Sequence, residues 1–295
     1  MEWRGQSLSL RAHAKVNMHL WVGARRADGL HSIESVMQRI TLADSLSLSR
    51  LDIPGRCEVC SPYMALPREN TLTRAYARFC QVTGVHDGVR VRVVKRIPAG
   101  SGLGGGSADA AALLCGLDTL FGTTLSARVL REVAYSVGSD VPFFLASQAA
   151  CVLGGGEQLV PLVPKTGYLG LLVWPGLHSG SAQAYEDLDR LRACGVHAAD
   201  GEQYSLRGAT ALSAHYAQDC ARWRFFNSLD APVQRRYPVV ALARWDLARA
   251  GACFTAMSGS GSAVFGLYRD EEELRRAHKL LAKRWCWCVR VRLCG

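Results

Sequence analysis

The chain has 295 residues, of which 49% are hydrophobic and 20% are charged. This length allows two domains, and the composition supplies enough apolar surface for a buried core, so intrinsic disorder is excluded. The longest apolar stretches, such as residues 168–174, are much shorter than the roughly 18 residues that a membrane-spanning helix needs. The first ten residues do not combine the features of a secretory signal. We therefore expect a globular cytoplasmic protein without a membrane partner.

The formal net charge is +10, from 35 basic and 25 acidic side chains. Excess positive charge favours anionic partners, which include nucleic acids, membrane surfaces and phosphorylated metabolites. The basic residues are scattered, and no tract of about five to eight of them occurs. A small anionic ligand is therefore favoured over a nucleic acid.

The 11 cysteines are an odd number in a chain too long to need a disulfide framework, so free thiols are expected. One C-x-x-C pair, Cys57 and Cys60, lacks a second pair of ligands that could complete a zinc site. Zinc or redox function at this pair is the less favoured alternative, and no metal-ligating residue can be named.

Strands are predicted first along the chain. Residues 15–22 alternate between polar and apolar side chains, so Lys15, Asn17 and His19 share one face of a strand. A buried lysine on that face requires a partner, for which Asp140 is the candidate, although an exposed charge on an edge strand is the alternative. After a turn at 23–29, residues 31–50 continue as further strand, which predicts a β-meander.

The helix and strand patterns predict an α+β protein of two domains. The predicted elements are, in order, a helix over 69–82, a strand over 89–94, helices over 107–121 and 126–137, a strand over 168–176, a helix from Ser181, helical segments within 210–248, two strands over 254–268, a helix over 270–284 and a strand over 286–293. The order after residue 156 suits an antiparallel sheet backed by helices.

Glycines and prolines over 156–165 place the boundary between domains 1–160 and 161–295.

The segment PAGSGLGGGS at 98–107 has five glycines within seven residues, between a predicted strand and a predicted helix. Glycine lets the backbone approach a ligand closely, and the N–H groups at a helix N-terminus attract phosphate. A flexible loop is the alternative interpretation. The Walker A sequence is absent, and the acidic residue of a dinucleotide-binding motif is not in place. We therefore predict a site for the phosphates of a nucleoside triphosphate.

Two other segments carry weaker signals when taken alone. The glycine turn at 257–265 could simply join two strands of a hairpin. Asp140 stands at the start of an apolar run and could simply cap or turn the chain.

Taken together, the segments resemble those of the GHMP kinases over nearly the whole chain. They are AHAKVNMHLWVGARRADGLHSIESV at 12–36, ENTLTRA at 69–75, KRIPAGSGLGGGSADAA at 95–111, VGSDVPFFL at 137–145, GGGEQLVPL at 154–162, NSLDAPVQRRYP at 227–238 and MSGSGSAVFG at 257–266. The resemblance implies a two-domain GHMP kinase fold, with an N-terminal ATP-binding α/β sandwich and a C-terminal antiparallel sheet with helices. It also implies ATP and Mg²⁺ as cofactors, a small-molecule substrate, and a monomer or weak homodimer.

Within the family, AKVN and RRADGLH resemble the members that phosphorylate the 2-hydroxyl of 4-diphosphocytidyl-2-C-methyl-D-erythritol in the non-mevalonate isoprenoid pathway. A kinase of the homoserine or mevalonate type is the first alternative. A catalytically silent binding protein on the same fold, including one that binds nucleic acid, is the second.

The resemblance also implies roles for individual residues. Asp140 matches the catalytic base, and Lys15 matches the lysine that accompanies it. For the substrate, His31 matches the histidine that reads cytosine, and Tyr185 matches the aromatic residue that stacks on it. Independently of the resemblance, the shared strand face lets Lys15 and Asn17 line one cavity, which makes Asn17 a candidate substrate-binding residue. The implied ATP-binding residues are Asn70, Lys95, Pro98, Gly100, Gly102, Leu103, Gly104, Gly105, Gly106 and Ser107.

Three positions depart from the family pattern. Leu30 stands where tyrosine is usual, so one wall of the expected cytosine site loses an aromatic ring. His13 replaces a usual proline, and Ala108 replaces a serine that many members carry after the glycines. The first change puts substrate affinity in doubt, whereas the reaction type is unaffected.

Overall fold

The computed structural model describes residues 1–4, 7–195 and 206–295. The strands are β1 (Glu2–Arg4), β2 (Ser7–Arg25), β3 (His31–Leu51), β4 (Cys57–Cys60), β5 (Gly88–Val94), β6 (Ala149–Gly154), β7 (Gln158–Pro161), β8 (Leu169–Val173), β9 (Phe254–Met257), β10 (Val264–Tyr268) and β11 (Cys288–Arg292). The helices are α1 (Thr71–Thr83), α2 (Gly105–Phe121), α3 (Ala127–Val137), α4 (Val141–Ala146), α5 (Ser181–Ala193), α6 (Gly208–Ala217), α7 (Asp230–Arg236), α8 (Pro238–Arg249) and α9 (Glu271–Leu281).

These elements form two compact units. The first comprises Met1–Ala14, Leu42–Ile97 and Gly104–Ser147. The second comprises Lys15–Thr41, Pro98–Leu103 and Gln148–Gly295. The division differs from the predicted boundary after residue 160, because the second unit also includes residues 15–41, 98–103 and 148–160.

In the first unit, residues of β3 pair antiparallel with β5, and β4 pairs parallel with β5. Helix α2 packs directly on the sheet at Gly116, where an added Cβ would lie 2.6 Å from Leu10 Cδ1 and 2.7 Å from Leu48 Cδ2. The alternation of β5 buries Val89, Val91 and Val93. Glycine at position 116 therefore sets how closely the helix approaches the strands.

In the second unit, β8, β9, β10 and β11 form an antiparallel sheet in the order β11-β8-β10-β9. The predicted antiparallel sheet with helices is confirmed. In the same unit, the N-terminal half of β3 pairs with β6, and β6 pairs with β7. No helix in the described ranges is long and apolar enough to cross a membrane.

Local signals mark the ends of two helices. Asn70 caps α1 in a capping box with Thr73, and Gly122 ends α2 with a left-handed φ of 65°. The predictions missed the elements whose patterns are short or purely apolar. These are β1, β4, β6, β7 and α4.

Candidate active site

Lys15 and Asn17 form a buried polar network on β2, in the second unit. Their side chains are 3% and 2% exposed, respectively. The Lys15 ammonium donates a hydrogen bond to Asn17 Oδ1, and Asn17 Nδ2 donates to Ser35 Oγ at 2.9 Å. The strand-face prediction for these two residues is confirmed. A buried ammonium is costly without a hydrogen-bond partner, and Asn17 supplies one to Lys15. The network therefore fixes the Lys15 ammonium in position.

The glycine turn at 258–262 packs against this network. Ser258 Oγ accepts a hydrogen bond from the Asn17 N–H at 3.2 Å and donates one to the Gly102 carbonyl at 2.9 Å. A Cβ added at Gly259 would lie 3.1 Å from Lys15 Nζ. The turn is therefore part of the candidate site and more than a simple hairpin connection.

Residues 98–103 of the glycine loop also belong to the second unit. The Lys15 N–H donates to the Leu103 carbonyl at 3.0 Å. Gly100 and Gly102 have left-handed φ values of 62° and 76°. A Cβ on Gly102 would overlap the Ser258 carbonyl oxygen, so only glycine permits this close approach of two backbones. Pro98 accepts a hydrogen bond from Ser101 Oγ at 2.6 Å.

The remaining loop residues lie in the first unit and open α2. Gly104 precedes the helix with a left-handed φ of 74°, and no side chain in the described parts of the chain caps the helix. The N–H groups of Gly105, Gly106 and Ser107 therefore form an uncapped helix N-terminus. Such a terminus is suited to a phosphate group.

Lys95, also in the first unit, is held by two buried carboxylates. Its ammonium pairs with Asp44 and lies 2.6 Å from Asp109 Oδ2 on α2. Asp44 also accepts hydrogen bonds from the N–H groups of Arg96 and Ile97, the latter at 2.9 Å. The cluster ties the segment before the glycine loop to the helix after it. The predicted role of Lys95 in ATP binding stays a prediction.

The cluster carries one positive and two negative side chains, and this imbalance affects Asp109. Burial raises the pKa of Asp109 to about 7, against the attraction of Lys95. Asp109 Oδ1 has no hydrogen-bond partner among the described residues. Burial alone would lower the pKa of Lys95, but Asp109 and Asp44 together raise it. Lys95 therefore stays charged at neutral pH.

The other predicted residues of the first unit are Asn70 and Asp140. Asn70 Oδ1 accepts from the N–H groups of Leu72 and Thr73, and Asn70 Nδ2 donates to the Pro67 carbonyl. Asp140 immediately precedes α4, yet its side chain makes no capping hydrogen bond to that helix. Asp140 therefore does not cap α4 with its side chain, which was one of the alternatives that the sequence left open.

His31 and Tyr185 lie together in the second unit, as the resemblance implied for a shared subsite. Their rings stack with centroids 5.1 Å apart and an interplanar angle of 28°. His31 Nε2 lies 2.9 Å from Asp189 Oδ1, so Asp189 orients the imidazole. Leu30 is 45% exposed and contributes no ring. Sequence reasoning did not identify Asp189, because nothing local marks an aspartate on α5.

The predicted site also omitted five residues described above: Ser35, Asp44, Asp109, Ser258 and Gly259. Two sequence signals could have identified some of them. The glycine turn contains Ser258 and Gly259, and ADAA at 108–111 contains Asp109; both belong to segments that carried the family resemblance. Among the described residues, no group of three or more histidine, cysteine or acidic side chains could hold a metal ion.

Comparison with known proteins identifies the family. Residues 70–155 match the GHMP kinases N terminal domain, and residues 211–285 match the GHMP kinases C terminal model. A 4-diphosphocytidyl-2-C-methyl-D-erythritol kinase from Solibacter usitatus is 38% identical over 278 residues, which are 93% of this chain and 85% of the relative. The kinase of the same name from Gloeobacter violaceus is 36% identical, over 94% of this chain and 91% of its own.

Solved structures agree with this result. A crystal structure of 4-(cytidine 5'-diphospho)-2C-methyl-D-erythritol kinase superimposes on this chain with a TM-score of 0.78 and 32% sequence identity. The match covers 98% of this chain and 100% of the chain in that crystal structure. A homoserine kinase from Cytophaga hutchinsonii, at 18% identity and a TM-score of 0.71 over 99% and 96% of the two chains, shares the fold. The expected two-domain fold is confirmed, and the chain belongs to the GHMP kinase family.

Proposed function

We propose that this protein transfers the γ-phosphoryl group of ATP to the 2-hydroxyl of 4-diphosphocytidyl-2-C-methyl-D-erythritol, in the non-mevalonate isoprenoid pathway. The observation that carries the proposal is the identity of 32–38% with kinases of that name, over 93% or more of this chain. A homoserine or mevalonate kinase is the weaker candidate, because the homoserine and mevalonate kinases that match by structure are only 12–18% identical.

In the proposed mechanism, the chain mainly positions reactants and stabilises charge, which is what phosphoryl transfer requires. The ATP phosphates would bind the backbone N–H groups of Gly102–Ser107. Lys15 would supply a fixed positive charge, because its ammonium is buried and oriented by Asn17. Asp140 would accept the proton of the attacking hydroxyl group.

Mg²⁺ would enter this site together with the nucleotide. In such sites Mg²⁺ keeps several waters and is held by substrate phosphates with one or two carboxylates. Binding of this kind needs only one or two protein carboxylates. It is compatible with the described residues, which contain no group of three or more histidine, cysteine or acidic side chains that could hold a metal ion. When bound, the ion would neutralise charge on the phosphates. A cytoplasmic location and a monomeric or weakly dimeric state remain predictions.

The direct test is a coupled ADP-release assay with three acceptors at equal concentration. Turnover with 4-diphosphocytidyl-2-C-methyl-D-erythritol should exceed turnover with homoserine and with mevalonate. Faster turnover with either competitor would overturn the proposal.

A filter-binding salt series addresses the silent nucleic-acid-binding alternative. Binding to DNA or RNA through phosphate contacts falls steeply as salt rises. Strong, salt-sensitive binding without kinase activity would favour that alternative. We expect weak binding, because the basic residues are scattered along the chain.

The stacked pair of His31 and Tyr185 predicts an effect on substrate affinity. An aromatic contact is worth about 0.5–1.5 kcal/mol, so Tyr185→Leu should raise the KM for the cytidine substrate about 2- to 12-fold. The KM for ATP should change little, because the loss concerns only the cytosine. Steady-state kinetics with each substrate varied in turn would measure both values.

Tyr63→Leu is the matched control for this prediction. Tyr63 is 81% exposed in the first unit and should tolerate the same substitution without a change in either KM. An unchanged KM for the cytidine substrate in Tyr185→Leu would contradict the assignment of Tyr185.

A further inference from the structure

Residues 177–181, which lead from β8 into α5, are fastened to both glycine-rich segments of the second unit. The Ser179 N–H donates to the Gly100 carbonyl at 2.9 Å, and Ser179 Oγ donates to the Ser260 carbonyl at 2.7 Å. Ser179 is only 5% exposed, so these are contacts inside the protein. The segment therefore joins the glycine loop to the glycine turn.

Two further contacts hold this segment in place. Ser262 Oγ donates a hydrogen bond to the Leu177 carbonyl. The His178 ring packs against Gly100, where an added Cβ would lie 2.1 Å from His178 Nδ1. The segment therefore cannot shift without disturbing Gly100 and the turn at 258–262.

Helix α5 extends these contacts to the stacked rings. Ser181, Tyr185 and Asp189 follow one another at intervals of four residues, so they lie along one face of the helix. Ser181 begins the helix, and its Oγ lies 2.9 Å from Ser260 Oγ. Tyr185 and Asp189, about one and two turns further on, both contact His31. One helix face therefore touches the glycine turn at one end and His31 about 12 Å further along the axis.

The stacked rings of His31 and Tyr185 are too close together for a nucleobase to enter between them. Non-bonded atoms touch at about 3.5 Å, so a base between two rings needs a separation of about 7 Å. The ring centroids are 5.1 Å apart. His31 is 9% exposed and begins β3, so a base that takes the inner face of Tyr185 must move Tyr185. A rigid helix passes such a movement along its length, and Ser181 lies at its end.

We propose that α5 couples cytidine binding to nucleotide binding at the glycine loop, with Ser179 as the positioning residue that transmits the coupling. A cytosine that separates His31 from Tyr185 shifts α5 and the 177–181 segment, and this segment then sets Gly100 and the glycine turn for the triphosphate. The second ligand finds the segment already in place. Each ligand therefore raises the affinity of the other by the same factor, because coupling between two binding sites is reciprocal. The inference rests on the proposed function, since cytidine and ATP are its two ligands.

The test measures the binding of a non-hydrolysable ATP analogue with Mg²⁺ to the full-length protein by calorimetry, with and without saturating cytidine 5'-diphosphate. Coupling between sites commonly amounts to about 5- to 150-fold, so cytidine diphosphate should lower the dissociation constant of the analogue at least about 5-fold. Ser179→Ala should reduce this factor to less than about 2, because it removes the hydrogen bond to the Ser260 carbonyl. The affinity for cytidine diphosphate alone should change little, because Ser179 contacts neither His31 nor the ring of Tyr185 in the hydrogen bonds described above.

Two further variants separate this role from a general loss of structure. Ser181→Ala removes the contact with Ser260 Oγ at the exposed start of α5 and should also weaken the coupling. It provides the same test if Ser179→Ala fails to fold. Ser213→Ala is the matched control, because Ser213 lies on α6, where its Oγ is 3.6 Å from Cys151 Sγ, and it should keep the full coupling.

A wild-type coupling factor near 1 would overturn the inference, and so would equal coupling in the wild type, Ser179→Ala and Ser181→Ala. The second result would show that the two ligands interact directly, without the 177–181 segment. Either result would leave the proposed function standing, because cytidine diphosphate would still bind. A wild-type protein that does not bind cytidine diphosphate would overturn the inference and contradict the proposed function as well.

Discussion

Asp140→Asn should lower turnover by about 100- to 10,000-fold, the range that general base catalysis contributes. Asparagine keeps the size of the side chain but cannot accept the proton of the attacking hydroxyl. ATP binding should persist, because the phosphates are expected on backbone N–H groups of the glycine loop. The measurements are kcat by ADP release and the dissociation constant of ATP by calorimetry.

Helix α4 should be unaffected in the variant. Asp140 makes no capping hydrogen bond to α4, so the substitution removes none from that helix. Asp52→Asn is a matched control in the same unit, since Asp52 is exposed in the connection between β3 and β4. Full turnover in Asp140→Asn would remove Asp140 as the base. Equal losses in both variants would show that the effect is not specific to the proposed site.

The second large effect is expected at Asp44. Removing one partner of a buried ion pair costs about 3–5 kcal/mol of unfolding free energy. Asp44→Ala also deprives the N–H groups of Arg96 and Ile97 of their acceptor. Lys95 keeps Asp109, so we expect a loss toward the lower end of this range. Urea denaturation monitored by tryptophan fluorescence would measure the shift in midpoint.

Asp109→Asn provides the contrast within the same cluster. It leaves the pair of Lys95 and Asp44 intact and removes the excess negative charge that burial penalises. We therefore expect a change in unfolding free energy within about 1 kcal/mol of zero. If Asp109→Asn proves as costly as Asp44→Ala, the view that Asp44 is the principal anchor is wrong.

Asp44 should also influence the nucleotide site as a positioning residue. It holds the chain at Arg96 and Ile97, immediately before the glycine loop. Asp44→Asn retains one carbonyl oxygen as an acceptor and should fold. Its KM for ATP should rise more than its KM for the acceptor, because the perturbed element is the proposed phosphate loop.

Several features were predictable because they depend on neighbours in the sequence. The caps at Asn70 and Gly122 are set by residues within one turn of the helix end. The glycine loop is recognisable because its glycines are consecutive or nearly so. The alternation over residues 15–22 placed Lys15 and Asn17 on one face, and the structure confirms that they are buried together.

The partners of these residues depended on the tertiary structure. Ser258 meets Asn17 across 241 positions, Asp44 meets Lys95 across 51, and Asp189 meets His31 across 158. Such pairs cannot be predicted from the local alternation or periodicity of the sequence. Their members come together only when distant strands and helices pack.

Local patterns and the family resemblance predicted the family and the order of most elements correctly, and they named the residues that we propose for the mechanism. The fold established which segments share a unit and which carboxylates hold Lys95. The physical reason is that capping and periodicity act over a few residues. Burial and ion pairing depend on which distant segments the fold brings together.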